Sequence, residues 1–409
     1  MRSEFFSDQV LRQFRIEYGP GPQANSAQFR ICVCQAPFLG IKHRYKVNKP
    51  MGGWRELGVN STQFFGQALT GQGMKHVYSE IMKEAKTVYL LKGAHGFKVS
   101  DSLSSLGNFY GSKGLEIEYF RDPFFENTIQ GLFVKEPHNI FFLEATNIPL
   151  DSVGLHVNVI SLEDCIDKQK LIELQQDFLD LSVKKDAYYE KCFHKLSNAL
   201  KIHDDWEVET RRYMDWKGLD GKTEELMARV FGDQKLEKSG AKTHRLLGTL
   251  TPAGARDTVQ SITQNLEKRL FIKGYPGTGK SSMMKKLVDE AFARGFDTQM
   301  VWCGLDSNSV DMVILPELKL CIFDSTEPHQ YFPEREGDEI FDIASLCHPT
   351  EVEEANIKKI VANYRATMSD ATAYAKRYAE TERTLRQLLD DAIIPDKFQE
   401  KMAELFLDL

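Results

Sequence analysis

The residues with the clearest chemical potential form one run, Gly274-Tyr275-Pro276-Gly277-Thr278-Gly279-Lys280-Ser281. It lies between an apolar strand-like segment, Leu270-Phe271-Ile272, and a helix-like segment carrying Met283, Met284, Leu287 and Val288. Strand, glycine loop and helix in that order are the context a phosphate-binding P-loop requires. Glycines at 274, 277 and 279 let the backbone curl until successive N–H groups face one anion. The helix start adds the positive end of its dipole. Lys280 supplies a point charge for β- and γ-phosphates, and the Ser281 hydroxyl stands where a Mg²⁺ ligand is needed. Thr278 and Ser282 complete the set of expected loop contacts. A second apolar segment, Leu318 to Phe323, ends at Asp324, the position of a Walker B carboxylate. The expected ligand is a nucleoside triphosphate with Mg²⁺, ATP first, with Lys280 and Asp324 carrying the catalytic roles and Ser281 and Asp324 the metal.

Weaker candidates surround this pair. Asp306, Ser309 and Asp311 follow the strand-like stretch Gln299 to Trp302, and Glu327 and His329 follow Asp324. Each could polarise an attacking water or hydroxyl, although loop acids and histidines are more often solvated surface groups.

Self-similarity organises the elements that must position these residues. Phe64-Phe65-Gly66 through Gly73 resembles Leu246-Leu247-Gly248 through Gly254, and the strand ending at Lys92-Gly93 resembles the one ending at Lys273-Gly274, 181 residues later. Asn139 to Thr146 matches Leu320 to Thr326 with one residue of slippage, and each copy ends in long charged helical sequence. The unit alternates strands with helices, which predicts an α/β fold with a parallel sheet and crossover helices: two tandem P-loop NTPase-like units, each with a C-terminal helical arm. The expected division is an extension over 1–58, a degenerate unit over 59–235 and an intact unit over 236–409, with the two repeats paired within the molecule. Gly232 to Lys242 is polar and glycine-containing and reads as the linker.

The first copy carries Gly93-Ala94-His95-Gly96-Phe97-Lys98-Val99-Ser100. Val99 stands where Lys280 stands, and Lys98 replaces the third glycine, so this lysine projects about 100° away around a helix turn. Glu144 keeps the carboxylate position. This copy is expected not to hydrolyse ATP. Arg121 ends its second strand and could reach the other site as an arginine finger, with a surface arginine the plainer reading.

Composition bounds the rest. Hydrophobic residues at 42% and charged residues at 27% are values of a globular chain. A net charge of -7 gives no global field for nucleic acid or an anionic membrane. No apolar run approaches the roughly 20 residues that span a bilayer. The seven scattered cysteines suit a reducing, cytoplasmic compartment better than a disulfide framework. Cys32 and Cys34, the close pair among them, lack the second pair or His cluster of a zinc site.

The Phe-Phe-Gly and Leu-Thr elements, the P-loop, Cys303-Gly304-Leu305-Asp306-Ser307-Asn308-Ser309-Val310-Asp311 and Asp324-Ser325-Thr326-Glu327-Pro328-His329 together resemble a bacterial family of tandem P-loop ATPases. Its members are named as ATPases or nucleotide kinases. The resemblance covers residue 62 to the C-terminus and implies the fold and nucleotide binding, without a substrate. In that family the first copy keeps a good P-loop; here the departure lies at Gly96 to Ser100.

The leading expectation is an ATP-hydrolysing or ATP-sensing protein. A small-molecule or nucleotide kinase would need an acceptor pocket and a basic lid, for which Arg365, Arg377 and Arg383 are candidates. A scaffold that binds nucleotide without turnover is the non-enzymatic alternative. A GTP switch is disfavoured because no Asn/Thr-Lys-x-Asp guanine-reading motif occurs, and a transporter ATPase because no Leu-Ser-Gly-Gly signature does. Acceptor and protein partner stay open.

Overall fold

A computed structural model describes residues 61–148, 150, 156–327 and 330–406. The Cys32–Cys34 pair, the extension before residue 59 and His329 lie outside them. The first half runs β1 (Ser61–Phe65), β2 (Gln67–Thr70), β3 (Gly73–His76), α1 (Tyr78–Glu84), β4 (Thr87–Lys92), α2 (Phe97–Ser112), β5 (Ile117–Arg121), β6 (Ile129–Val134), β7 (Ile140–Glu144) and β8 (Val157–Ser161). Helices α3 (Lys168–Glu173), α4 (Gln175–Arg211) and α5 (Trp216–Phe231) complete it. The second half runs β9 (Lys242–Leu246), β10 (Gly248–Thr251), β11 (Gly254–Asp257), α6 (Val259–Ile262), β12 (Lys268–Lys273), α7 (Lys280–Ala293), β13 (Thr298–Trp302), β14 (Val310–Leu315), β15 (Leu320–Asp324) and β16 (Asp338–Asp342). It ends with α8 (Glu351–Ala392) and α9 (Pro395–Ala403). Strands that start at 61, 87, 117 and 129 return at 242, 268, 298 and 310, a constant spacing of 181 residues.

The protein is α/β, with one 12-stranded sheet in the order β16-β12-β15-β14-β13-β9-β1-β5-β6-β7-β4-β8. Counted outward from the centre, both halves follow the same path, β1-β5-β6-β7-β4-β8 and β9-β13-β14-β15-β12-β16. They meet where β1 and β9 pair antiparallel at Phe65 and Leu246. Strands such as Ile140-Phe141-Phe142-Leu143-Glu144 are buried throughout, as expected of a sheet covered on both faces.

The expected parallel sheet is found to be mixed. Six of the eleven strand pairings are parallel and five antiparallel. The physical reason is connection length: parallel neighbours need a crossover of a dozen or more residues, whereas short returns join antiparallel ones. Between β14 and β15 the chain turns through a 3₁₀ segment, Pro316–Leu318, and Lys319 at φ 45°. That turn also moves the start of the Asp324 strand from the expected Leu318 to Leu320.

The helical arms cross. Helix α4 lies along α8, and each arm continues onto the other half. Met214, Leu219, Leu226 and Phe231 pack with Met283, Leu287 and Ile322 of the second half. Reciprocally, Leu385, Leu389, Phe398 and Met402 pack with Val99, Leu103 and Phe142 of the first. The segments on either side of residue 235 therefore share their hydrophobic cores. No described helix is long and apolar enough to cross a membrane.

Near the centre, Arg245 of β9 is fully buried and bonds two first-half carboxylates: Glu118 at 2.6 and 2.9 Å and Glu84 at 2.7 and 2.8 Å. Burial alone would raise the Glu118 carboxyl; Arg245 and Lys135 outweigh it and hold it below its ordinary value. Because the folded value is depressed, this stabilisation is present above the unfolded carboxylate range and is lost as pH falls through the folded value. Arg245→Met strands Glu118 without its main partner and is expected to cost about 3–5 kcal/mol, read as a lower urea midpoint at neutral pH, with the difference from wild type shrinking in acid.

Candidate functional site

Strand β12 delivers the chain to the loop 274–279 and α7 carries it away, at the same edge where β15 ends in Asp324. β12 and β15 are parallel neighbours, with Ile272 in register with Asp324. This pairing places carboxylate and loop side by side. The loop glycines earn their positions sterically. Gly277 and Gly279 sit at φ 83° and 88°, the left-handed region that side chains avoid. A Cβ on Gly277 would also lie 2.4 Å from the Glu207 carbonyl oxygen of α4, so the helical arm of the first half rests directly on the loop.

Lys280 is buried and folds back over the loop, donating to the carbonyls of Gly274 at 2.5 Å and Tyr275 at 2.8 Å. Its Nζ lies 3.4 Å from Asp324 Oδ2. Ser281 Oγ accepts the Val310 N–H at 3.0 Å, and Thr278 Oγ1 donates to the Tyr275 carbonyl at 2.7 Å. Asp324 Oδ1 accepts from the Thr326 N–H at 3.0 Å and from its hydroxyl. The Thr278 N–H donates to the Tyr275 carbonyl at 3.2 Å, and no side chain caps the start of α7.

These groups border a cavity of about 290 Å³. It reaches Asp306, Ser309, Asp311 and Glu327, so the structure brings the weaker candidates to the same place as Lys280, Ser281, Ser282 and Asp324. Asp311 is buried, whereas Asp306 shapes its own loop by accepting from Asn308 N–H at 3.0 Å. Glu327 is bonded to Arg365. The opposite wall belongs to α4: His203, Trp206, Glu207 and Arg211. Burial keeps the His203 imidazole below its ordinary value and pushes the Cys303 thiol far above its own.

Arg121 is neither a finger nor a surface residue. It is buried at the end of an interior strand, where Nε and Nη2 donate to Gln63 Oε1 at 2.9 and 2.6 Å. Burial pulls its guanidinium down to about 10. Nor do Arg365, Arg377 and Arg383 form a lid: all three belong to α8, and none borders the cavity.

The first-half loop is filled by the chain itself. Asp390 of α8 accepts the Phe97 N–H at 2.9 Å and the Lys98 N–H at 3.3 Å, and Lys98 Nζ donates to the Asp390 carbonyl at 2.5 Å. A Cβ on Gly96 would lie 2.3 Å from Asp390 Oδ1. A carboxylate thus occupies the place that the glycine loop and helix start would offer to a phosphate. Behind it, buried Arg386 pairs with Asp122 at 2.9 Å and approaches Glu382 at 3.5 Å, and Lys185 lies 3.4 Å from Glu382. Ser100 Oγ accepts the Ile129 N–H at 2.9 Å, the counterpart of the Ser281–Val310 bond. Glu144 is buried and capped by Thr146 N–H at 2.8 Å.

The sequence reading missed Asp390 and the α4 wall because both come from arms that cross; Phe97 and Asp390 are 293 residues apart. A local signal did exist, since a Phe-Lys pair at a helix start leaves N–H groups that require an acceptor. Comparison with known proteins finds no matching family model, no similar curated protein and no similar solved structure.

Burial raises the Asp390 carboxyl to about 6, against the lowering influence of its two N–H donors and Lys98. With the folded value above the unfolded one, the stability that protonation contributes is full below the unfolded value and is lost as pH rises through about 6. Asp390→Asn removes this titration. Unfolding free energies from urea titrations at pH 4 to 7 are expected to fall with pH more steeply in wild type than in the variant, by up to about 3 kcal/mol in total.

Proposed function

We propose that the chain is a Mg²⁺-dependent ATPase working through residues 274–282, and that its halves are tandem P-loop NTPase-like units of which only the second is active. The observation that carries this reading is the contrast between two equivalent loops. One is closed by an in-chain carboxylate; the other has its lysine, hydroxyl and carboxylate around a cavity with no in-chain anion on its N–H groups.

On this reading the triphosphate lies along the N–H groups from Gly277 to Ser282. Lys280 exchanges its carbonyl partners for phosphate oxygens, which costs little because those carbonyls are weak competitors for its charge. The donor set suits Mg²⁺. Ser281 and Asp324 supply one hydroxyl and one carboxylate oxygen, and this ion takes its remaining ligands from phosphate and water. Bound there, the ion would draw charge from the β- and γ-phosphates.

A second reading, phosphoryl transfer to a small acceptor, is favoured by one observation: the cavity extends past Lys280 to Leu69, Leu196, Leu250 and Met368, an apolar end that no phosphate needs. Product analysis separates the two, since hydrolysis yields free phosphate without an acceptor.

Lys280→Ala is expected to weaken Mg–ATP binding by roughly 10- to 100-fold in calorimetry, the worth of a charge-assisted contact, and to abolish phosphate release. Asp324→Asn is expected to retain ATP binding while losing its response to Mg²⁺. Wild-type affinity in Lys280→Ala would remove the loop from the function.

A further inference from the structure

We propose that Arg256 is a catalytic residue that contacts the terminal phosphate and stabilises the charge developing on it during transfer; this rests on the ATPase reading of the same cavity. Arg256 lies on β11, borders the cavity and is half-buried. Its guanidinium makes no hydrogen bond or ion pair with any described residue, although Asp306, Asp311, Asp324 and Glu327 border the same space. The other arginine of the cavity, Arg211, is already held by Glu207 at 3.0 Å. A partly desolvated guanidinium without an anion is costly, and its planar fork matches a phosphate better than a single carboxylate.

What holds Arg256 in place supports the assignment. The β10–β11 hairpin pairs Thr249 with Arg256 and Gly248 with Asp257. Asp257 Oδ1 accepts the Tyr331 hydroxyl at 2.7 Å. The Tyr331 N–H donates to Ser325 Oγ at 3.0 Å, one residue beyond Asp324. Lys273, one residue before Gly274, donates to the Ser325 carbonyl at 2.7 Å, its hydroxyl at 2.9 Å and the Tyr331 carbonyl at 2.5 Å. One chain of hydrogen bonds therefore fixes the arginine hairpin, the carboxylate strand and the phosphate loop relative to each other. The plugged half lacks this wiring. At the 181-residue spacing Lys75 and His76 replace Arg256 and Asp257, and the stretch between β7 and β8 contains no tyrosine. Among the described residues this wiring is found beside the loop that carries Lys280.

In the reaction, a water oxygen bonds to the γ-phosphorus as the bridging P–O bond breaks. The bond pair leaves on the β-phosphate of ADP, and the proton lost by water passes to phosphate or solvent. Charge gathers on the γ-oxygens and on the bridging oxygen, where a guanidinium is worth most.

The test measures Mg–ATP affinity by calorimetry and steady-state phosphate release for wild type, Arg256→Ala, Arg256→Lys and Lys280→Ala, with thermal melts confirming folding. The expected result is a roughly 10³-fold fall in kcat for Arg256→Ala with ATP affinity within a few-fold of wild type, and little recovery in Arg256→Lys, which lacks the fork. Tyr331→Phe, which frees the hairpin from its anchor, should lower kcat less, at unchanged KM. A kcat for Arg256→Ala within three-fold of wild type overturns the proposal, as does a loss confined to affinity. Failure of the underlying reading looks different: wild type then binds no Mg–ATP, or Lys280→Ala binds and turns over as wild type does.

Discussion

The N–H groups that open α2 and α7 pose the same requirement twice: a helix start facing the edge of a sheet needs an anion. Much of the architecture follows from how each half meets it. In the first, α8 reaches across and Asp390 supplies the carboxylate. In the second, the arm that arrives, α4, sets the Glu207 backbone against Gly277, and no carboxylate of the described residues takes the place of Asp390. Two loops at equivalent places in the repeat thus differ in whether the chain provides its own ligand.

The arms cross whether or not they supply an anion, and the long helices α4 and α8 provide the reach at 37 and 42 residues. Isolated helices of such polar composition gain little from propensity alone, so they depend on packing against each other and on the apolar ends that dock onto the far cores. Leu389 and Phe398 anchor one arm and Leu219 and Phe231 the other. Arg245 then ties the halves at the sheet centre, where Glu84 and Glu118 compensate a charge that burial would otherwise make prohibitive.

The glycine loop, the Asp324 strand and the repeat were legible in the sequence because each is local or periodic: glycine spacing, an apolar run ending in an acid, a fixed offset. The order of the strands was not. The sense of β6 and β14 depends on short turns, and the sequence signal for a short buried strand is the same in either direction. Arg121 shows the same limit at one residue, since a charged group at a strand end reads as exposed until its strand proves to be interior. Arg256 and Asp390 were missed for a different reason. Their significance lies in what they face, and that is set by a hairpin folded back over the sheet edge and by an arm from the other half.

The plugged half also explains itself energetically. The Arg386, Asp122, Glu382 and Lys185 cluster buries charges on a scale that a purely structural core avoids, because apolar replacements of similar volume are commonly as stable or more so. Here Arg386 ties α8 to Asp122 of the first half, and α8 in turn packs along α4, whose far end forms a wall of the cavity above Lys280. The first half therefore supplies one boundary of the cavity in the second.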